Sequence, residues 1–343
     1  MRLKRIFPLA IIFASLLSGE AIAAAFKIAT IAPEGSQWML DLKAGGKEVT
    51  ERTEGRVTFK FYGGGVMGND KKVLRKIRIG QLQGGVFTST GLAERYGDIV
   101  MYGLPMVFRS QAEVDYVRER MDLQLQSGLE EAGFVSFGFA GGGFAMLMGN
   151  EPVTKIEQLR GRKVWVPEGD LSSYQAMKDM ELAPVVLPIT DVLTALQTGL
   201  LEYFATPPVG AVVLQWYTKV KYVTEYPFAY SVGVMAIDKK AFGRLSAEDR
   251  DVVTEVFSAI YDKFEQQNRV DNDKAEEALR ANGLQFVRLD DDLTVVERKV
   301  AASSRQMARD GTISIDLLDQ MLGHLEAYRS AADGAGTPAS AVE

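Results

Sequence analysis

The sequence predicts an α/β protein of two domains joined by crossing segments around a hinged cleft, with one long helix spanning both. Three observations lead there. Strand-like runs alternate with amphipathic helical runs along the chain. At 343 residues, with no cysteine and 47 % apolar residues, the chain is long for one domain and large enough to hold its core without disulfides. From Ser246 to about residue 281 a helical pattern continues without Pro or Gly.

The first 23 residues read as a secretory signal peptide. Arg2, Lys4 and Arg5 precede an apolar run over 6–17 that is too short to span a bilayer. Ala21-Ile22-Ala23 supplies the small residues of a cleavage site, so cleavage after Ala23 and export to the periplasm are expected. The formal charge is −6 overall. Arg2, Lys4, Arg5 and Glu20 fall in the signal, which leaves −8 on residues 24–343. That balance argues against nucleic acid and against an anionic membrane surface as partners. Residues 332–343 are small and polar and are expected to be disordered.

In order, residues 26–31 (FKIATI) alternate as a first strand, and Ser36 caps a helix through Trp38, Leu42 and Val49. Residues 56–62 form a second strand. Gly63, Gly65 and Gly68 then match G-x-G-x-x-G, with Asn69 capping a helix over 70–79. A dinucleotide site is discounted, because no acidic residue stands about 20 positions on at a strand end; the loop reads as a turn shaping a cleft. Residues 81–87 are a strand that ends at Phe87-Thr88-Ser89. Ser110 caps a helix through Val114, Val117, Met121, Leu125 and Leu129. Residues 134–140 read as a strand. Gly141-Gly142-Gly143 reads as a flexible crossing at which the domain changes, and 144–148 opens the second domain.

The stretch 161–170 (GRKVWVPEGD) organises that second domain. Residues 163–166 form a buried strand, Pro167 takes the chain out of the sheet, and Asp170 or Ser172 caps a helix through Tyr174, Met177 and Met180. Ligands of α/β proteins sit where a strand ends and a helix begins, which offers Trp165, Glu168 and Asp170 to a cleft. Taken alone, Trp165 reads as a core tryptophan. Residues 184–187 are a strand, Thr190 caps a helix over 191–198, and 201–205 is a strand ending at Thr206-Pro207-Pro208. Residues 230–237 return to the first domain. The expected division is 24–143 plus about 232–270 for domain I, and 144–231 plus about 271–331 for domain II.

Several motifs resemble those of the DctP-type solute receptors of TRAP (tripartite ATP-independent periplasmic) transporters, and the likeness covers nearly all of the chain after residue 23. YGGGVMG at 62–68 is similar to the family's Y/F-P-G-G-x-L-G, and GLPMVF at 103–108 to its L-P-F-L-F. QLRGRKV at 158–164 resembles D-L-x-G-x-K-I, and DVLTALQTG at 191–199 resembles E-V-Y-x-A-L-Q-x-G. The resemblance implies a periplasmic solute-binding protein that closes on a small solute, has no catalytic activity or cofactor, and passes its ligand to membrane permease subunits driven by a sodium gradient. Three positions depart from the pattern. Trp165 stands where the resemblance places a carboxylate-binding Arg, Ala145 where it places a second Arg, and Thr206 where it places an Asn. Trp offers an indole N–H and a π-face in place of a bidentate guanidinium, so the usual organic-anion specificity does not carry over.

The expected ligand-binding residues are Trp38, Phe87, Thr88, Phe144, Trp165, Glu168, Thr206 and Trp216. Aromatic rings, hydroxyls and one carboxylate suit a neutral hydroxylated or cyclic solute, or a cation on Trp165 paired with Glu168. A carboxylate would need a metal bridge on Glu168 and Asp170, or Arg162 or Lys163 turned inward; a neutral or cationic solute is favoured. A sensor that presents its ligand to a membrane kinase would use the same cleft. An enzyme is disfavoured: His324 is the only histidine, cysteine is absent, and a carboxyl pair such as Glu34 and Glu168 is a weak acid–base candidate. Lys71, Lys72, Arg75, Lys76 and Arg78 make the helix after Gly68 basic, which reads as a solvated face or a permease-docking patch.

Overall fold

The structure, a computed structural model, describes residues 24–335. The signal peptide expected over 1–23 and residues 336–343 of the expected tail lie outside the described residues. The first half contains β1 (Ala24–Thr30), α1 (Gln37–Arg52), β2 (Val57–Tyr62), α2 (Asp70–Arg78), β3 (Gly84–Thr88), α3 (Ser89–Leu92), α4 (Gln111–Glu131) and β4 (Phe134–Val135). Then come β5 (Ala140–Gly149), β6 (Lys163–Pro167), α5 (Leu171–Asp179), β7 (Ala183–Leu187), α6 (Val192–Gln197), β8 (Tyr203–Thr206), α7 (Pro208–Val213) and β9 (Tyr222–Asp238). The chain closes with α8 (Lys239–Phe242), α9 (Ala247–Ala281), β10 (Gln285–Arg288), α10 (Thr294–Arg309) and α11 (Ile315–Ala335).

Local chemistry sets most helix starts. The side chains of Ser36, Asn69, Ser110 and Ser246 accept the N–H groups of Met39, Lys72, Glu113 and Asp249. Each satisfies a donor that the first helical turn leaves unpaired. Helix α6 differs from expectation: a short 3₁₀ turn over Ile189–Asp191 precedes it, and Thr190 does not cap it.

The strands form one sheet in the order β2-β1-β3-β9-β5-β8-β6-β7, with β4 and β10 also pairing to β9. Strands β2, β1 and β3 are parallel, as are β8, β6 and β7. Antiparallel β5 and β9 join the two groups. The 17-residue β9 pairs with β3 through its C-terminal part and with β5 along most of its length. Each half therefore has its own helix-covered parallel unit and core, and two strands pass between them.

Gly141-Gly142-Gly143 is not a flexible crossing. These glycines belong to β5, beside a register shift against β9, and the strand expected over 134–140 is confined to Phe134–Val135. The reason is the close passage of α9. Asn268 and Asn272 donate from their side-chain amides to the carbonyls of Gly141 and Gly142, and Glu265 accepts the N–H of Gly141 at 2.9 Å. Gly143 has φ +96°, and a Cβ there would lie 2.6 Å from Nδ2 of Asn272. Only glycine fits a backbone approached so closely at positive φ.

Helix α9 has 35 residues, about 50 Å at the α-helical rise. Val253, Phe257, Tyr261 and Phe264 pack on Phe26, Ile28 and Met39 of the first half, and Leu279 joins the core of Phe204 and Trp216 in the second. Helix α10 packs on α5 of the second half, where Ser303 donates to Asp179 at 3.1 Å, but α11 lies on the first half, unlike the expected division. Leu318, Met321 and Leu325 of α11 pack with Val114, Val117 and Met121 of α4, in the first half. Arg329 clamps this contact by donating to both oxygens of the buried Glu113, at 2.7 and 2.9 Å. An apolar stripe does not state which half it covers, so the sequence left that assignment to tertiary packing. Helix α11 also runs to Ala335, into the stretch expected to be disordered. Among the described residues no helix is long and apolar enough to cross a membrane.

Replacing Gly143 by Ala should lower the stability of the folded chain by roughly 2 kcal/mol, from left-handed strain and displacement of Asn272. Urea unfolding checks this, with Gly161→Ala as a control, since Gly161 has φ +69° and open space around its Cα. An equal loss at both positions would mean that backbone strain alone sets the cost and that the α9 crossing adds nothing.

Candidate functional site

Both halves contribute to a cleft over the ends of β3, β6 and β8. It has two communicating chambers that share Thr88, Ile189, Thr206, Pro207 and Ser231. The first, about 160 Å³, is walled by Trp38, Phe87, Val209, Tyr261 and Phe264 and is almost wholly apolar. The second, about 190 Å³, is walled by Asp70, Glu94, Ala145, Trp165, Glu168 and Asp170.

Five of the eight expected residues line these chambers directly on the shared wall or in one chamber: Trp38, Phe87, Thr88, Trp165 and Thr206. Glu168 is a sixth. Two do not reach the cleft. Phe144 lies on the opposite face of β5, with its ring 5.2 Å from that of Tyr230. Alternation along the strand turns Ala145 to the cleft instead, opposite Ala229 of β9, so the floor there is made of small residues. Trp216 is a core residue, 2 % exposed, set edge-on behind Trp165 at 5.2 Å.

The tryptophans on the wall have spent their polar atoms. Nε1–H of Trp165 donates to the carbonyl of Leu187 at 2.9 Å, and Nε1–H of Trp38 donates to Oδ1 of Asn268 at 3.1 Å. What they present to a solute is carbon surface. Trp165 is only 5 % exposed, so it is a core residue and a wall residue at once.

Glu168 bridges the cleft. Its carboxylate accepts from Nδ2 of Asn69 at 3.1 Å and pairs with Nζ of Lys71 at 3.0 Å, both on the first half. Beside it, Gly169 (φ +94°) packs against the carbonyl of Thr90, where a Cβ would stand 2.6 Å away. Asp170 caps α5, its Oδ1 accepting the N–H of Ser173 at 2.9 Å, and burial raises its pKa. Asp70 opens α2. Burial, reinforced by the charge of Glu168, pushes its carboxyl up to about 6. Sequence reasoning missed Asp70, although it follows the cap Asn69 at the end of the glycine loop, where the chain turns from a strand into a helix.

The remaining candidates are engaged elsewhere. Arg162 pairs with Glu151 and Glu202, and Lys163 donates to the carbonyl of Gly199, so neither turns inward. Glu34 pairs with Lys43. In the basic helix, Lys71 serves Glu168 and Lys76 donates to the carbonyl of Met67. Among the described residues, no group of three or more His, Cys, Asp or Glu is placed to hold a metal ion.

A two-lobed α/β chain whose halves jointly wall a chamber is built to enclose a small molecule. Residues 28–309 match bacterial extracellular solute-binding protein family 7 (DctP), and the chain belongs to this family. It is 24 % identical over 242 residues to the C4-dicarboxylate-binding periplasmic protein DctP of Rhodobacter capsulatus, covering 68 % of this chain and 70 % of that one. It is 22 % identical over 222 residues to an uncharacterized protein of Haemophilus influenzae, 64 % of this chain and just under two thirds (66 %) of its relative. Among solved structures it resembles a TRAP periplasmic solute-binding protein from Xanthobacter autotrophicus with bound β-D-galacturonate (TM-score 0.80, 18 % identity, 88 % of this chain and 99 % of that one). It also resembles DctP7 of Bordetella pertussis, an extracytoplasmic solute receptor binding pyroglutamic acid (TM-score 0.78, 19 % identity, 89 % and 100 %). Family and fold neighbours are solute-binding receptors, not enzymes.

The raised Asp70 carboxyl has a consequence for stability. Its pKa lies above the ordinary 3.8, so the folded state holds this proton more tightly than the unfolded one. Ionising it costs stability as the pH rises from about 4 to about 6, and the cost is complete above that. Asp70→Asn is therefore expected to raise the Tm of the ligand-free protein by a few degrees at pH 8, with the gain shrinking towards pH 4. A gain independent of pH would show that Asp70 is ordinarily solvated.

Proposed function

We propose that this chain is the extracytoplasmic solute receptor of a TRAP transporter. It is exported by the signal peptide at residues 1–23, encloses a small organic solute in the cleft, and delivers it to membrane permease subunits for sodium-coupled uptake. Family membership and the fold support the receptor role. Closure is expected to bend the segments shared by the two halves, β5, β9 and α9. The site comprises Trp38, Phe87, Thr88, Trp165, Glu168 and Thr206, joined by Asp70 and Asp170.

The observation that carries the ligand class is the lack of a guanidinium among the cleft-lining residues described above. Trp165 and Ala145, the two positions where the resemblance places carboxylate-binding arginines, both line the second chamber, and its one cationic side chain, Lys71, is paired with Glu168. The neighbours named above were found with galacturonate and pyroglutamic acid, both carboxylic acids. A carboxylate placed here would meet carboxylates without a bidentate partner. The solute is accordingly neutral or cationic.

A thermal-shift screen of unfolded and refolded protein tests this, using organic acids, neutral polyols and cyclic compounds, and amines, each with and without calcium. A specific solute at a hundredfold excess over its Kd should raise the Tm by roughly 5 °C. Neutral or cationic compounds should protect, and Trp165→Phe should weaken that binding about tenfold by removing wall contacts. Protection by acids alone would overturn the ligand class, and protection by nothing in the panel would overturn the receptor assignment.

A further inference from the structure

The first chamber is a gap in the hydrophobic core that β9 itself creates. Ser231, Gly233, Met235 and Ile237 alternate onto one face of this strand. Met235 and Ile237 pack there with Val253, Phe257 and Tyr261 of α9. At Gly233, the next position on that face, the layer stops for want of a side chain. Its cross-strand partners are Thr88 of β3 and Ala140 of β5, so three strands set small residues side by side. Trp38, Tyr261, Phe264 and, from the second half, Val209 and Val213 of α7 complete the wall.

Nothing in the backbone requires glycine at 233. Its φ is not left-handed, and a Cβ built there would stand 3.8 Å from the nearest neighbour, the carbonyl oxygen of Phe87. At Gly143, by contrast, Asn272 of α9 occupies the corresponding space. Polar atoms on the wall are largely engaged. Trp38 donates to Asn268, the Thr30 hydroxyl accepts the N–H of Ala32, and the Thr88 hydroxyl accepts the N–H of Gly91. Ser231 lies where the two chambers meet, and among the described residues its hydroxyl bonds no protein group.

We propose, resting on the receptor reading above, that the solute is a neutral monocyclic alcohol or ketone: its apolar six-membered ring fills the first chamber over Gly233, and its one polar group turns to the hydroxyl of Ser231.

The size fits one ring. The chamber is about 160 Å³, and a protein cavity of about 150 Å³ with aliphatic and aromatic walls stays dry and holds one benzene. Unfilled, such a space denies its lining atoms their dispersion partners, and a ring restores them. The walls come from both halves, so the ring touches both as they close on it. Ser231 stands two residues from Gly233 along the strand, about 7 Å, within reach of a ring substituent and one hydrogen bond. A serine hydroxyl both donates and accepts, which serves an alcohol or a ketone equally. A ring covered in hydroxyls would bury them against carbon without partners. A ring carboxylate directed to the junction would approach the chamber that carries Asp70, Glu94, Glu168 and Asp170.

Isothermal titration at pH 7.5, into protein unfolded and refolded to strip bound ligand, tests the proposal. The probes are cyclohexanol, cyclohexanone, cyclohexylamine, cyclohexanecarboxylate and inositol. Each is titrated into the wild-type protein and into Gly233→Val, Gly233→Ala and Ser231→Ala. Valine at 233 places its side chain in the chamber and suits a strand, and circular-dichroism melts check that every variant folds. The expected result is that cyclohexanol or cyclohexanone binds at least tenfold tighter than the amine, the carboxylate and inositol. Gly233→Val should weaken that binding at least tenfold and Gly233→Ala less, with the Tm of the ligand-free protein unchanged or raised. Ser231→Ala should weaken it about threefold. Full affinity in both folded Gly233 variants overturns the seat of the ring, and full affinity in Ser231→Ala overturns the partner of its polar group. Tightest binding by the amine, the carboxylate or inositol overturns the solute class and leaves the receptor reading standing. Binding neither of these rings nor of any compound in the broader thermal-shift panel removes both.

Discussion

The crossing of α9 over the glycine run of β5 is the contact on which the arrangement of the molecule depends. Strands β5 and β9 alone would leave two halves on a narrow ribbon. Asn268, Asn272 and Glu265 bind the backbone of Gly141 and Gly142 directly, and Asn272 also accepts the N–H of Val209 in α7. These are buried or part-buried polar groups, and losing a partner at such a site costs about 1–3 kcal/mol. The junction is secured on both sides. Arg118 of α4 donates to Glu265, and Trp38 of α1 donates to Asn268.

The same crossing sets the floor of the cleft. Because β5 runs out from under α9 in a fixed register, Ala145 faces the chamber and Phe144 faces away. The helix in turn places Tyr261, Phe264 and Asn268 along the apolar chamber. The acidic chamber arises differently, from helix starts. Asp70 begins α2 and Asp170 caps α5, where a helix N-terminus favours negative charge. The two helices come from opposite halves and both contribute to the chamber; burial raises the pKa of both carboxyls, and the charge of Glu168 adds to the rise at Asp70.

The features legible in the sequence were those set by neighbours a few residues apart. The caps at Ser36, Asn69, Ser110 and Ser246 were read correctly because each involves a bond from residue i to i+3. The long helix was legible because 35 residues pass without a helix breaker. Most of the wall could be named because strand ends and helix starts line clefts in α/β proteins. The misreadings share the opposite character. The glycine run looked like a hinge loop because glycine serves both flexibility and close approach, and only the helix lying over it distinguishes the two. Trp216 was offered to the cleft because a buried and a wall tryptophan are the same letter. Asp70 was passed over because an acidic residue in a first turn is ordinarily a solvated one.

The sequence by itself determined the α/β class, the starts of the four helices capped by Ser36, Asn69, Ser110 and Ser246, the overall charge and the family, all of which follow from local pattern and composition. Tertiary structure decided which face of β5 meets the solute, which half α11 covers, and which carboxyls lose their water. Those depend on segments such as α2 and α5, about a hundred residues apart in the chain. Burial and electrostatic coupling are set by distance in space, and no period or spacing along the chain records it.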